Sequence, residues 1–341
     1  MEKYLILFVF VLCIFIVGCG KNNNKSIKDD LIKSINNLKG YQLSGKLEVV
    51  NNDDVFNYNV SVSYKDKDYY RVSLKNMANN HEQIILKNDD GVYVVTPSLN
   101  KSFKFQSDWP YNNSQAYLLK NIVDDIESDR EIEESSTDDG YVITSKVNFP
   151  NNPKLVKQRV TVDKNLMIEK VEILDNDGIS LMTFTVSKTN YKPTFDESYF
   201  QINSIINTSE NNDEKKTDEE KDNSEKTSTI DDVIYPLYIP TGTVLTGEEK
   251  VSKTDGERVI LTFGGDKPFT LVEETTVPLD EFTVVPTYGD PYLLIDTVAA
   301  LSNNSINWVS NGIEYYIVSD VMKQNELIEV ATSVNTVSVL K

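Results

Sequence analysis

Cysteine is nearly absent from this chain of 341 residues, which has 2, Cys13 and Cys19. Both stand near the start, so no internal disulfide can staple the body of the chain and its stability must come from apolar cores. Histidine is scarcer still, with His81 alone. A Ser-His-Asp triad would have to be built on that residue, which begins a strand pattern in Asn79-Asn80-His81-Glu82-Gln83 and reads as an ordinary exposed histidine. With no second histidine and no further cysteine, a zinc site lacks its donors. Positive charge is outweighed: 34 Lys and Arg face 53 Asp and Glu, a formal charge of −19. Such a surface repels nucleic acid and anionic headgroups, which excludes nucleic-acid binding. A long apolar run is also missing. Leu5 to Val17 falls short of the roughly 20 residues a transmembrane helix needs, and the polar stretch Gly20-Lys21-Asn22-Asn23-Asn24-Lys25 follows almost at once.

That short run, with Lys3 before it and Ile16-Val17-Gly18-Cys19 at its end, reads as a lipoprotein signal peptide over residues 1–18. The small Gly18 lets a signal peptidase approach the bond before Cys19. The Cys19 thiol, carrying a diacylglyceryl group and open to an added N-acyl group on its freed amine, then supplies a membrane anchor on the extracytoplasmic face. Two acyl chains hold a protein stably where one is marginal. Residues 19–25 read as a tether, and no other cofactor is expected.

The remainder, roughly 320 residues, is long enough for two domains. Residues 204–229 (SIINTSENNDEKKTDEEKDNSEKTST) have almost no apolar side chains after Ile206 and mix Glu, Asp, Lys, Ser, Thr and Asn. Such a stretch cannot bury enough surface to offset ordering entropy, and it reads as an acidic, disordered linker. It separates a region over 26–203 from one over 230–341.

In the first region, Leu31, Ile32, Ile35 and Leu38 fall on one helical stripe over 26–38, stopped by Gly40. The period then becomes two: 41–49 and 56–64 alternate around Asn51-Asn52-Asp53-Asp54, and the pattern continues over 69–74, 81–86, 92–96 and 102–105. A helix is predicted over 114–128, and strands resume over 140–149, 158–162, 168–174 and 179–186. This is a meander, which must curl to bury its apolar face. The second region predicts strands over 244–251, 257–263, 269–275, 306–310 and 313–319 and a closing helix near 323–332, a smaller α+β module.

Lys154-Leu155-Val156-Lys157-Gln158, Val160-Thr161-Val162-Asp163, Lys170-Val171-Glu172-Ile173, Thr183-Phe184-Thr185-Val186 and Phe195-Asp196-Glu197-Ser198-Tyr199-Phe200 resemble the end of LolA-like lipoprotein carrier domains. Tyr41-Gln42-Leu43-Ser44-Gly45 fits the same family. Phe263-Gly264-Gly265-Asp266-Lys267-Pro268-Phe269 and Gly312-Ile313-Glu314-Tyr315-Tyr316 look like the DUF4367 domain. Lipobox, LolA-like domain, acidic linker and DUF4367 domain together resemble the layout of the YdcC-type sporulation lipoproteins, whose first domain is shared by the germination lipoprotein GerS. The resemblance implies an α+β fold: an incomplete antiparallel β-barrel with covering helices and an apolar cavity, followed by the smaller module.

Chemistry-bearing motifs are few. Asp175-Asn176-Asp177-Gly178 lacks the glycine position and the glutamate of a calcium loop and reads as a hairpin turn. The acidic run Asp124, Asp125, Glu127, Asp129, Glu131, Glu133, Glu134 reads as a solvated helix end and loop. Trp109-Pro110-Tyr111, with Tyr117 beyond, would sit at the barrel mouth, either touching an acyl chain or a partner or packing as a lid. The whole implies a non-enzymatic binding or scaffold factor in sporulation, cortex assembly or germination, with a cortex cell-wall amidase as the partner implied by the resemblance. A lipid or lipopeptide carrier using the cavity and an envelope-stress sensor are the alternatives.

Overall fold

The computed structural model describes residues 26–51, 54–206, 229–254, 256–279, 281–295 and 297–334. The expected signal peptide, the tether and most of the expected linker lie outside them.

Helix α1 (Ile27–Asn36) opens the described chain, capped by Ser26, whose hydroxyl accepts from the Asp29 backbone N–H at 3.4 Å. Asp29 and Asp30 in the first turn suit the positive end of the helix dipole. Strands β1 (Gly40–Asn51), β2 (Asp54–Lys65), β3 (Tyr69–Asn76), β4 (Glu82–Asn88), β5 (Gly91–Thr96) and β6 (Lys101–Phe105) form a meander. Helix α2 (Leu119–Ser128) interrupts it before β7 (Glu133–Ser136), β8 (Gly140–Lys146), β9 (Lys157–Asp163), β10 (Ile168–Leu174) and β11 (Ser180–Asn190). β11 returns to pair with β1, so the two halves become one antiparallel sheet. Leu31 and Ile35 of α1 and Ile122, Val123 and Ile126 of α2 share a single core with the alternate strand residues Leu43, Leu47, Val60, Val62, Val160 and Val171. The sheet curls over the two helices and stays open, because its end strands do not pair with each other.

Helix α2 starts later than the apolar spacing suggests. Ser114 is held by Asn148, its N–H donating to the Asn148 carbonyl and its hydroxyl accepting from the Asn148 N–H, both at 2.8 Å. This ties residues 114–117 to the chain beyond β8 and leaves Leu118, in extended backbone, to begin the helix. The acidic run also differs from expectation at its end. Glu133 and Glu134 form a short edge strand, where charge discourages pairing with another chain.

The second sheet contains β12 (Thr243–Lys253), β13 (Gly256–Gly265), β14 (Phe269–Thr275), β16 (Asp290–Leu293), β17 (Val298–Leu301), β18 (Ser305–Ser310) and β19 (Ile313–Val318), in the order β12-β13-β14-β19-β18-β17-β16. Helix α3 (Gln324–Val334) buries Leu327, Val330 and Ala331 against its Leu261, Leu271, Trp308 and Ile317. The hairpin between β18 and β19 turns on Asn311 and Gly312, both at positive φ, as a two-residue turn of the primed type requires.

One strand of the later region leaves it. β15 (Thr283–Thr287) pairs in parallel with β6, making the first sheet 12-stranded with β15 at its edge. Pro286, which has no N–H to offer, is tolerated there because an edge strand need not donate on its free side.

Candidate functional site

The interior of the first sheet is where a bound chain would have to lie, and side chains fill it. Tyr41 on β1 pairs in register with Tyr64 on β2, which pairs with Tyr70 on β3. Because paired residues point to one face, their rings form a column, with centroids 5.1 Å apart for Tyr41 and Tyr64 and 4.9 Å for Tyr64 and Tyr70. Trp109 closes it edge-on against Tyr70 at 5.7 Å. Burial pushes the Tyr41 and Tyr70 hydroxyls far above the ordinary phenol range, so both stay neutral.

The three aromatic residues picked out by sequence therefore have separate surroundings. Trp109, 1% exposed, precedes a cis bond to Pro110 and is packed rather than presented. Tyr117, 2% exposed, stands edge-on to Phe184 at 6.5 Å. Tyr111, 47% exposed, alone offers a surface a partner can touch. Its hydroxyl donates to the Asp68 carboxylate and Lys87 Nζ lies 4.6 Å from its ring. Burial, then the Asp68 carboxylate, push the Tyr111 hydroxyl up. Gly18 and Cys19 lie outside the described residues.

Beside Tyr117 a cavity of about 30 Å³ remains, lined by Leu47, Phe149, Leu155 and Met182 and closed by Pro291, Tyr292 and Leu293 of the later region. Burial pushes Tyr292 up to about 12.

The closing segment is fastened by polar groups that sequence reading missed. Tyr58 on β2 donates to the Ile295 carbonyl at 2.5 Å. The buried Gln83 amide oxygen accepts from Val298 N–H at 2.6 Å and from Thr297 Oγ1 at 2.9 Å, while its nitrogen donates to the Val298 carbonyl at 3.3 Å. Ser107 Oγ donates to Asp290 at 2.5 Å. Asn100, at positive φ, donates through its side chain to the Leu279 carbonyl at 2.8 Å, and its own carbonyl accepts from Thr283 N–H at 2.8 Å. A glutamine amid the apolar Ile84, Ile85 and Leu86 was the one available signal, because a buried amide demands partners.

β17 shows what the fastening achieves. Val298 and Ala300 enter the core of the first sheet, whereas Ala299 and Leu301 enter the core of the second. A strand buried on both faces reads as a continuous apolar run, here Val298 to Leu301.

Two further carboxyl groups among the described residues are strongly perturbed by burial, and they lie in different parts of the fold. Burial lifts Asp125 on α2 and Glu273 on β14 each to about 7, but α2 packs into the core of the first sheet and β14 into that of the second. Among the described residues no group of three or more His, Cys, Asp or Glu is placed to hold a metal ion. Asp175 to Ile179 form the expected hairpin turn, with Gly178 at φ +80°. His81 lies in the turn between β3 and β4, its carbonyl accepting from Asn76 N–H.

A family described as sporulation protein YdcC-like matches residues 1–200. Sporulation protein YdcC of Bacillus subtilis (strain 168) is 32% identical over 338 residues, 97% of this chain and 96% of that one. The chain belongs to the YdcC-like sporulation protein family. Among solved structures, MucB is 12% identical, covering 90% of this chain and 95% of its own at a TM-score of 0.34. The complex of the CwlD amidase from Clostridioides difficile with the GerS lipoprotein gives 18% identity over 52% of this chain and 96% of that one, with a TM-score of 0.20. Likeness at that level carries no functional argument. Among the described residues of this YdcC-like chain, no helix is long and apolar enough to cross a membrane.

Proposed function

We propose that this chain is a non-enzymatic, lipid-anchored sporulation factor that acts outside the cytoplasmic membrane by binding another envelope protein. Family membership supports the sporulation role. The Gly18-Cys19 lipobox supports the anchor, a diacylglyceryl group on the Cys19 thiol. The observation that carries the binding reading is the filled interior: the aromatic column and the strands β16 and β17 occupy the space that a carrier would keep for its cargo. A molecule so closed works through its outer surface. A cortex-modifying cell-wall amidase, the partner implied by the resemblance to germination lipoproteins, is the first candidate.

The test is affinity purification of the full chain, extracted with detergent from sporulating cells, beside a gene deletion. A co-purifying envelope protein together with defective cortex or germination is expected. Normal sporulation, cortex chemistry and germination in the deletion strain would overturn the reading. Native mass spectrometry of the same preparation discriminates against the carrier alternative, which requires a retained acyl ligand.

A further inference from the structure

Where the two sheets meet, a cleft of about 600 Å³ opens to solvent, within the range of about 300–1,000 Å³ common for ligand sites. One wall is the outer face of β18 and β19. Because side chains alternate, Ile306, Trp308, Tyr315 and Ile317 point into the second core, leaving Ser305, Asn307, Glu314 and Tyr316 on the other face. The opposite wall comes from β6 and β15, with Lys101, Phe103, Val285 and Pro286, and Tyr288 projects just beyond β15.

The chemistry of the lining is selective. In a chain of charge −19 the cleft has Lys101 and Glu314 as its only charged residues, and they neutralise each other at 2.9 Å, each less than a quarter exposed. Lys101 also lies 4.8 Å from the Phe103 ring, so it is held on two sides. An ionic ligand would meet no free opposite charge in this lining. What the cleft offers instead is flat aromatic surface and amides. Tyr288 is 81% exposed and Tyr316 is 37% exposed, while Asn303, Asn304 and Asn307 add amides to the lining. The Asn307 amide nitrogen donates to Glu314 at 3.1 Å, and its buried oxygen is left without a donor.

From this arrangement we infer that the cleft is a binding site for an uncharged, N-acetylated amino-sugar oligomer. Pyranose rings present C–H faces that stack on tyrosine and hydroxyls that bond to asparagine. The acetamido group brings an N–H and a carbonyl that can pair with the asparagine amides lining the cleft, and its methyl group finds apolar surface at Val285 and Pro286. This goes beyond the partner-binding role, and its test does not depend on Cys19 or on any protein partner.

Isothermal titration of the full chain in detergent with tetra-N-acetyl-chitotetraose is the experiment. Saturable binding is expected, weakened by about tenfold or more by Tyr288→Ala, by Asn307→Ala, and by replacing the probe with maltotetraose, which lacks acetamido groups. Tyr288 is exposed enough that its variant folds, as unchanged circular dichroism will show, so the test survives an unstable Asn307 variant. The inference is overturned by absent saturation with the wild-type chain, by equal affinity for maltotetraose, or by a Tyr288 variant that binds undiminished. Binding of penta-alanine in place of the sugar would assign the cleft to peptide and likewise overturn it.

Discussion

Tyr58 and Ile295 stand 237 positions apart, and the tyrosine hydroxyl of one donates to the backbone carbonyl of the other at 2.5 Å. The contact joins β2, in the middle of the first sheet, to the loop between β16 and β17. It is the innermost of several fastenings, with Gln83 beside it and Asn100 and Lys101 nearer the cleft. A later piece of the same chain thus packs across the interior of a sheet whose own end strands stay unpaired. That packing both fills the interior and creates the inter-sheet cleft.

Removing the glutamine pin should loosen this packing. Gln83→Leu leaves Val298 N–H and Thr297 Oγ1 without an acceptor in a buried place, a cost of roughly 1–3 kcal/mol. Tyr58→Phe, which strands one carbonyl, should cost about 1 kcal/mol. Urea denaturation measures both. The two losses should not add, because the groups brace one short segment, and strict additivity would show the pins to be independent.

Trp109 and Tyr111 are two residues apart and should behave oppositely. Trp109→Ala empties space beside Tyr70 and should destabilise the chain by about 3–5 kcal/mol. Tyr111→Ala removes a side chain already 47% exposed and should change stability by no more than about 1 kcal/mol. Equilibrium denaturation followed by circular dichroism distinguishes them, and a mild Trp109 variant would mean the interior can open.

How much of this could be read beforehand differs from place to place. Strands β1 to β5 and β8 to β11 follow period-two patterns with Gly and Asn turns, so local physics suffices for them. β15 to β17 leave no such pattern because they are short, because Pro286 interrupts one of them, and because β17 is apolar on both faces. Their partners lie in a different part of the chain, which no local window contains. The aromatic residues at 109–117 were visible as a cluster, yet the same pattern serves an open mouth or a packed interior. Only the register of Tyr41, Tyr64 and Tyr70 decides between them.

Stability should fall as pH rises through the mildly acidic range. Glu273 is 1% exposed, and burial lifts it from the ordinary glutamate value to about 7 despite the bond it accepts from Ile234 N–H. The folded chain then binds more protons than the unfolded one between about pH 4.5 and 7, so stability is full below that window, declines across it and levels above. Asp125, also lifted to about 7 by burial, adds to the same slope. Glu273→Gln keeps an acceptor for Ile234 and removes the charge. It should match the parent near pH 4 and exceed it by roughly 1–3 kcal/mol at pH 8. Thermal melts across pH measure this, and a variant less stable at pH 8 would show the carboxylate to be better solvated than its burial indicates.

Two glycines test whether space or backbone conformation restricts this sheet. Gly45 sits on β1 at the register shift opposite β11, where an added Cβ would lie 2.3 Å from the Thr185 carbonyl oxygen and 2.7 Å from the Phe184 ring. Phe184 packs against Tyr117, so any relief must propagate into the core, and Gly45→Ala should cost about 1–3 kcal/mol or more from crowding. Gly312 is the opposite case. Nothing lies within 4 Å of its added Cβ, but its φ of +79° is one that alanine rarely adopts, so Gly312→Ala should cost about 1–2 kcal/mol through the backbone alone. Gly312→Asn, which tolerates that region, should recover most of the loss. Gly45→Asn should recover none, since a larger side chain only worsens the clash. Denaturation midpoints of the four variants provide the check, and recovery by asparagine at position 45 would remove the steric account.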